Sequence, residues 1–358
     1  MDRIILLGSH RERIVDWLMG HPRGHERGAI IYFRRFARPV DGLPFSQRFV
    51  SFDVELMDGD WILDSSQFHL RINMRKFPQV YHRCEKENLV LGFIHNHPRG
   101  ILEFSEKDNI NEANIIHGLA GCNGLSSHLV SLIYSQGAWS GRIRRGDRPT
   151  QVRLVRHIAI LSDKLELHSV RDRGDLLKTF LRQEATFGKP FNAKLRSLRA
   201  VVVGLGGTGS PVATMLARSG IGELILIDGD KLEDTNMNRV RGYTSSDVGQ
   251  KKAKSLKKFI DRLGVGVKVI AFPDFLGESG EAIDSLSSAD IVFGCTDDVI
   301  GRDLLNQSLY YYGHLLIDSG LTGFIQEGED GMPHLRDHRG RVSCILPEEG
   351  LVFDVRVL

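Results

Sequence analysis

Apolar positions in this chain of 358 residues fall into short runs that stop abruptly at polar or glycine-rich segments. Residues 89–95, Leu-Val-Leu-Gly-Phe-Ile-His, form one such run and predict a buried strand that ends on a histidine. The next periodic segment predicts a helix from Ser105 to about Leu119, with Ser105 as N-cap and Asp108 three residues inside it. Residues 199–210, Arg-Ala-Val-Val-Val-Gly-Leu-Gly-Gly-Thr-Gly-Ser, predict a strand and a tight glycine turn, followed by a helix over 211–218. Further strands are predicted at 223–228 and 290–295, with a basic, exposed helix around Lys251, Lys252, Lys257 and Lys258 between them. The expected fold class is α/β throughout.

Composition bounds the picture without changing it. A hydrophobic share of 41% and a charged share of 26% are those of a soluble globular protein, and the length suits two domains. A formal net charge of +2 gives no case for nucleic acid. Basic clusters at Arg34 and Arg35, at 142–148 and at 171–173 are scattered and lack interleaved aromatics, so they read as solvated surface that could dock an acidic tail. Residues 4–8 are too short to span a bilayer and lack a cleavage pattern, which leads us to expect a cytoplasmic protein with no membrane partner. The four cysteines, Cys84, Cys122, Cys295 and Cys344, form no C-x-x-C pair and no disulfide framework is expected.

The candidate chemistry begins at His95-Asn96-His97-Pro98, followed by Ser105 and Asp108, a pattern of H-x-H-P-x6-S-x2-D. Strand alternation puts the two imidazoles on one face, and the helix start puts Ser105 and Asp108 one turn apart. Two histidines and a carboxylate leave the fourth position of a zinc ion open for water, the plan of catalytic zinc sites.

This pattern resembles the JAMM (JAB/MPN-type) metallopeptidases, which remove or process ubiquitin-like proteins. The resemblance implies Zn2+ held by His95, His97 and Asp108, with Ser105 donating to the oxyanion. It also implies an upstream glutamate as general base. Glu26 in the segment 22–31 fits that role, and Glu55 is a competitor in a less similar context.

The glycine run Gly204, Gly206, Gly207 and Gly209 lets backbone N–H groups approach phosphate at a helix N-terminus, and Asp228 ends the next strand where a ribose hydroxyl would lie. Those signs fit any nucleotide-binding Rossmann unit, an oxidoreductase included. The segments that follow narrow the choice. Asp230, Asn236, Arg239, Lys252, Asp297 and Arg302 occur in an order that resembles the ThiF/MoeB-type adenylating enzymes. The resemblance implies ATP and Mg2+, with Asp230 on ribose, Asn236, Arg239 and Lys252 on the polyphosphate, and Asp297 on the metal. Asp298 departs from the asparagine usual at its position. Arg182, in Phe180-Leu181-Arg182-Gln183, would reach the nucleotide of a partner subunit, which implies a homodimer. Cys344 is a candidate thioester acceptor, whereas Cys295 reads as core.

The sequence therefore reads as a fusion: a JAMM-like domain at 1–150, a connector at 151–185 and a ThiF-type domain at 186–358. The expected function is zinc-dependent cleavage after a ubiquitin-like C-terminus and ATP-dependent adenylation of that terminus, as in prokaryotic conjugation systems, some tied to phage defence. The expected partners are a ubiquitin-like protein with an extended tail and a conjugating-enzyme-like protein. Two alternatives stand beside it: processing and activation of a sulfur carrier for cofactor or cysteine biosynthesis, and a non-catalytic scaffold for a ubiquitin-like protein.

Overall fold

The computed structural model describes residues 2–170, 177–327, 331–348 and 350–357. The basic cluster at 171–173 lies outside them. By its internal contacts the chain divides into two compact units, residues 1–37 with 46–171, and residues 38–45 with 172–358.

The first unit runs β1 (Arg3–Leu7), α1 (Gly8–Met19), β2 (Gly28–Phe36), β3 (Arg48–Leu56), β4 (Ile62–Ser65), β5 (Leu70–Ile72), α2 (Phe77–Lys86), β6 (Val90–Asn96) and α3 (Glu106–Asn123). It continues with β7 (His128–Ser135), β8 (Ala138–Arg145), β9 (Arg148–Leu154), β10 (His157–Leu161) and β11 (Leu165–His168). Nine strands form one sheet in the order β11-β10-β1-β3-β2-β6-β7-β8-β9, and β4 pairs with β5 as a separate hairpin. Both faces of the sheet are covered. Ala29 and Ile31 of β2 join Ile14 and Leu18 of α1 on one side. Ile30 and Tyr32 join Ile115, Ile116 and Leu119 of α3 on the other. A strand buried on both faces reads as a continuous apolar run, which is why 29–33 and 90–95 lack alternation.

Two differences from expectation concern this unit. The helix begun at Ser105 runs on to Asn123, past Gly118 and Gly121, and stops at Gly124 with φ at 89°. Packing on α2 carries it through: the Tyr81 hydroxyl donates to the Ile115 carbonyl at 3.1 Å, and a Cβ on residue 118 would lie 2.8 Å from that hydroxyl. Residues 157–168, expected within the connector, instead complete the first sheet, because β10 pairs in parallel with β1.

The second unit runs α4 (Leu181–Phe187), α5 (Lys189–Ser197), β12 (Arg199–Val203), α6 (Gly209–Ser219), β13 (Glu223–Ile227), α7 (Lys252–Arg262) and β14 (Lys268–Phe272). It ends with α8 (Gly280–Leu286), β15 (Ile291–Gly294), α9 (Val299–Tyr312), β16 (Leu315–Glu327), β17 (Pro333–Leu346) and β18 (Gly350–Val357). The strand order is β14-β13-β12-β15-β16-β17-β18, parallel from β14 to β16 and antiparallel beyond. The order reverses direction between β12 and β15. Ligands of open α/β sheets bind at such a switch point, outside the carboxyl ends of the strands.

Candidate functional site

In the first unit, β6 ends by delivering His95 and His97 to one point. Their Nε2 atoms lie 3.0 Å apart, and Asp108 oxygens lie 3.1 Å from His95 Nε2 and 3.6 Å from His97 Nε2. Donors sharing one tetrahedral zinc at about 2.0–2.1 Å would lie about 3.3 Å apart. The side chains present therefore fit the ion. His97 Nδ1 donates to the Ile101 carbonyl at 3.0 Å, so Nε2 is the atom that would face the ion once it gives up any proton shared with Asp108. The Nδ1 atom of His95 is buried and has no hydrogen-bond partner among the described residues.

Asp108 is set by the helix start. Ser105 N and Oγ donate to Asp108 Oδ2 at 2.7 and 2.8 Å, and Asp108 N donates back to Ser105 Oγ at 3.2 Å, a reciprocal cap. Burial alone would raise the Asp108 carboxyl, but hydrogen bonds from His95 and His97 hold it well below the ordinary carboxylate range. Burial opposes charge on His97, yet the adjacent Asp108 outweighs it and raises the imidazole. Glu26 is 6% exposed and lines the same cavity, of about 510 Å3, as His97, Ser105 and Asp108. Burial raises its carboxyl, against the pull of His95 and His97. A carboxyl shifted upward beside side chains that could hold a metal suits a general base. The competitor Glu55 instead accepts from the Tyr32 hydroxyl at 2.9 Å and does not line this cavity.

The sequence reading missed the residue that places Glu26. Asn96 points opposite to its histidine neighbours. Its Oδ1 accepts from Arg27 N at 2.7 Å and its Nδ2 donates to the Leu18 carbonyl at 3.1 Å. The strand period, which puts residue 96 on the other face from 95 and 97, was the available signal. Also missed was the β4–β5 hairpin, whose Phe68, His69 and Arg71 form one wall of the cavity.

In the second unit a cavity of about 560 Å3 opens at the switch point. Gly204, Gly206 and Gly207, with Asp228, Asp230, Asn236, Arg239, Lys252 and Asp297, all line it. The glycines differ in purpose. A Cβ on Gly209 would lie 1.7 Å from the Gly204 carbonyl oxygen, and one on Gly204, where φ is 84°, 2.6 Å from the Cys295 carbonyl oxygen. Those two allow β12, α6 and the end of β15 to close together. Gly206 faces open space. Asp228 is 7% exposed and is occupied with the turn itself, accepting from Leu205 N at 2.6 Å and from Asp230 N at 2.8 Å. Burial raises its carboxyl. Asp230 pairs with Lys252 Nζ at 2.8 Å. Asn236 accepts from Glu233 N at 3.2 Å, and Arg239 donates to the Thr235 carbonyl at 2.6 Å while packing over Gly207.

Asp297 is exposed at the cavity, and Asp298 caps α9 by accepting from Ile300 N at 3.1 Å and Gly301 N at 2.6 Å. An asparagine would cap equally well, which accounts physically for the departure at residue 298. Arg182 is exposed on α4 and is not among the residues lining this cavity. Arg302 donates to the Thr296 carbonyl at 3.0 Å and lies 3.8 Å from Asp318, a carboxylate missing from the sequence reading. Burial raises the thiols of Cys295 and Cys344, and Cys344 sits within the β17 ladder, neither being the setting of an activated thiolate. Among the described residues no helix is long and apolar enough to cross a membrane.

Residues 180–349 match the ThiF family. The adenylyltransferase and sulfurtransferase MOCS3 of Mus musculus is 32% identical over 154 residues, covering 43% of this chain and 33% of that protein. Protein HesA of Leptolyngbya boryana is 30% identical over 164 residues, covering 46% and 57%. Among solved structures, the E. coli tRNA N6-threonylcarbamoyladenosine dehydratase TcdA is 27% identical and covers 42% of this chain and 63% of that one, at a TM-score of 0.38. The chain spans between a third and somewhat over half of these curated relatives, 33% and 57%. Fold and cavity define the class: an open α/β domain with a cavity at a strand-order switch point. The match to the ThiF family is confined to the segment 180–349.

Proposed function

We propose that the second unit activates a carboxylate by adenylation, and that the carboxylate is the C-terminus of a small ubiquitin-like or sulfur-carrier protein. The observation that carries this is the convergence of the glycine turn, the α6 N-terminus, Arg239, Lys252 and Asp297 on one cavity at the switch point. A carboxylate oxygen attacks the α-phosphorus of ATP, the bond to the bridging oxygen breaks, and pyrophosphate leaves. Arg239 and Lys252 would neutralise the polyphosphate, Asn236 would donate a hydrogen bond to it, Asp297 would hold Mg2+, and Asp230 would take the ribose. Arg182 lies on an exposed helix, from which it could serve a second copy in a homodimer. The relatives' names join adenylyl transfer to sulfur transfer, which favours a sulfur carrier over the conjugation pathway that the sequence alone suggested first. The test is pyrophosphate exchange into ATP with a Gly-Gly-ended β-grasp carrier. Lys252→Ala and Arg239→Ala should each lower exchange by about 100-fold or more. Wild-type protein that neither binds ATP nor exchanges would refute the proposal.

For the first unit a separate reading rests on geometry alone, since the family match covers 180–349. We infer zinc-dependent peptide hydrolysis, favoured by the convergence of His95, His97 and Asp108 beside Glu26. Bound zinc would supply a Lewis acid and water acidified towards neutrality. Glu26 accepts the proton of the attacking water and delivers it to the departing amine. Ser105 would turn its hydroxyl hydrogen from Asp108 Oδ2 to the oxyanion, while its backbone N–H keeps hold of that carboxylate. Glu26→Gln should keep zinc and lose cleavage, while His95→Ala should lose both. Protein that takes up no zinc would end this reading and leave the adenylation proposal standing.

A further inference from the structure

We propose that the groove beside Glu26, His97 and Asp108 accepts a peptide segment bearing carboxylates next to the bond to be cut. This rests on the hydrolysis reading, both for the fate of the peptide and for the commitment of Glu26 and Asp108. One wall of the groove is the β4–β5 hairpin with Phe68 and Arg71. The other is the segment 99–105 and the first turns of α3, with Arg99, Lys107 and Ile110. Arg71, Arg99 and Lys107 are all exposed there, and none takes part in an ion pair among the described residues. Among the lining residues the acids are Glu26, Asp108 and Glu103. With Glu26 and Asp108 committed to chemistry and metal, Glu103 is the remaining acid of the lining against three cations, and Asp64, beside Arg71 on the hairpin, is already taken up by His69.

The geometry adds direction to this charge. The Arg99 guanidinium lies 4.3 Å over the Phe68 ring, so it reaches from one wall to the other. A guanidinium held by its flat face keeps its in-plane N–H donors available, and those suit a carboxylate in bidentate fashion. Phe68, Ile101 and Ile110 are 62%, 57% and 61% exposed, so apolar side chains of the peptide would have surface to cover between the charges. Lysine or arginine close to the bond would face three like charges, and a bound divalent cation would add to the repulsion. The required chemistry is a carboxylate, supplied by Asp or Glu side chains or by the end of a chain.

The experiment uses the full chain loaded with zinc and rhodamine-labelled octapeptides read by fluorescence anisotropy. The peptides are capped at both ends and differ only in a central Glu-Glu, Ala-Ala or Lys-Lys. A fourth carries Ala-Ala with a free terminal carboxylate and separates the two sources. The Glu peptide should bind about tenfold more tightly than the Lys peptide, a gap that shrinks in strong salt. Arg99→Glu with Lys107→Glu should abolish or invert the order. Phe68→Ala, which leaves the charge unchanged, should weaken the Glu peptide most, by freeing Arg99. Melting curves confirm that these surface variants fold. Equal affinities, a preference for lysine, no measurable binding, or an order unchanged in the double variant would each overturn the proposal. Zinc uptake by the wild type, measured separately, tells the failure of the hydrolysis reading from the failure of this one.

Discussion

Asn96 shows how much a single side chain can hold. It stands between two candidate metal ligands, and both ends of its amide are spent on backbone, at Arg27 and Leu18. Glu26 is adjacent to that anchor and is itself tied by its N–H to the Ser66 carbonyl at 2.7 Å. Replacing Asn96 by alanine would leave a buried N–H and a buried carbonyl unpaired, at a cost of about 2 kcal/mol. The expected outcome for Asn96→Ala is a lower melting temperature and slower hydrolysis with zinc affinity nearly unchanged, because His95, His97 and Asp108 keep their supports. A zinc titration beside a rate measurement checks it. The histidines and Asp108 were legible because their spacing is local. Asn96 was legible only as a gap between them, since its partners lie 69 and 78 residues away.

At the scale of elements, α3 is the most constrained part of the first unit. One turn beyond Asp108, Glu112 is 1% exposed and accepts from Arg142 Nε at 2.9 Å and Arg144 Nε at 2.8 Å on β8. Arg142 also lies 3.7 Å over the ring of Phe104, the residue before Ser105. The helix is thus fixed in rotation, with Asp108 turned toward the histidines. Glu112→Ala would strand two buried guanidinium groups and should destabilise the unit by about 3–5 kcal/mol, measurable by denaturant unfolding. The basic segment 142–148, read from sequence as solvated surface, is in part this buried network, and the correction comes from a partner acid on a distant helix. Other elements stayed hidden for related reasons. The parallel pairing of β1 with β10 joins residues at opposite ends of the unit. Strand β9, Arg-Pro-Thr-Gln-Val-Arg-Leu, lies at the sheet edge and is mostly exposed, so its composition carries little hydrophobic signal. In the second unit β12 and β13 were plain, because parallel strands covered on both faces are continuous apolar runs.

For the whole molecule the informative variable is pH. His128 at the start of β7 is 5% exposed, and Arg35 donates to its Nδ1 at 3.1 Å, an arrangement open only to neutral imidazole. Burial first, and then Arg35 and Arg145, push it down to about 4. The folded state therefore binds fewer protons than the unfolded chain between about pH 4 and 6.5, the ordinary histidine value. Stability from this group is complete above that window and is lost as pH falls through it, by roughly 2–3 kcal/mol. Melting temperatures at pH 7 and pH 4.5 should show the loss, and His128→Gln should reduce it.

The ion pair between Lys252 and Asp230 has a consequence for how a nucleotide would arrive. Before any ligand enters, the ammonium that would meet phosphate and the carboxylate that would meet ribose already satisfy each other. Binding is then an exchange of partners and not a simple addition: a ribose hydroxyl must take over Asp230 as Lys252 turns to the polyphosphate. Two ends of one small molecule are thereby coupled through a single contact. A fragment carrying only phosphates or only a ribose would have to break that contact and leave one partner stranded, so the intact nucleotide should gain more than its pieces together.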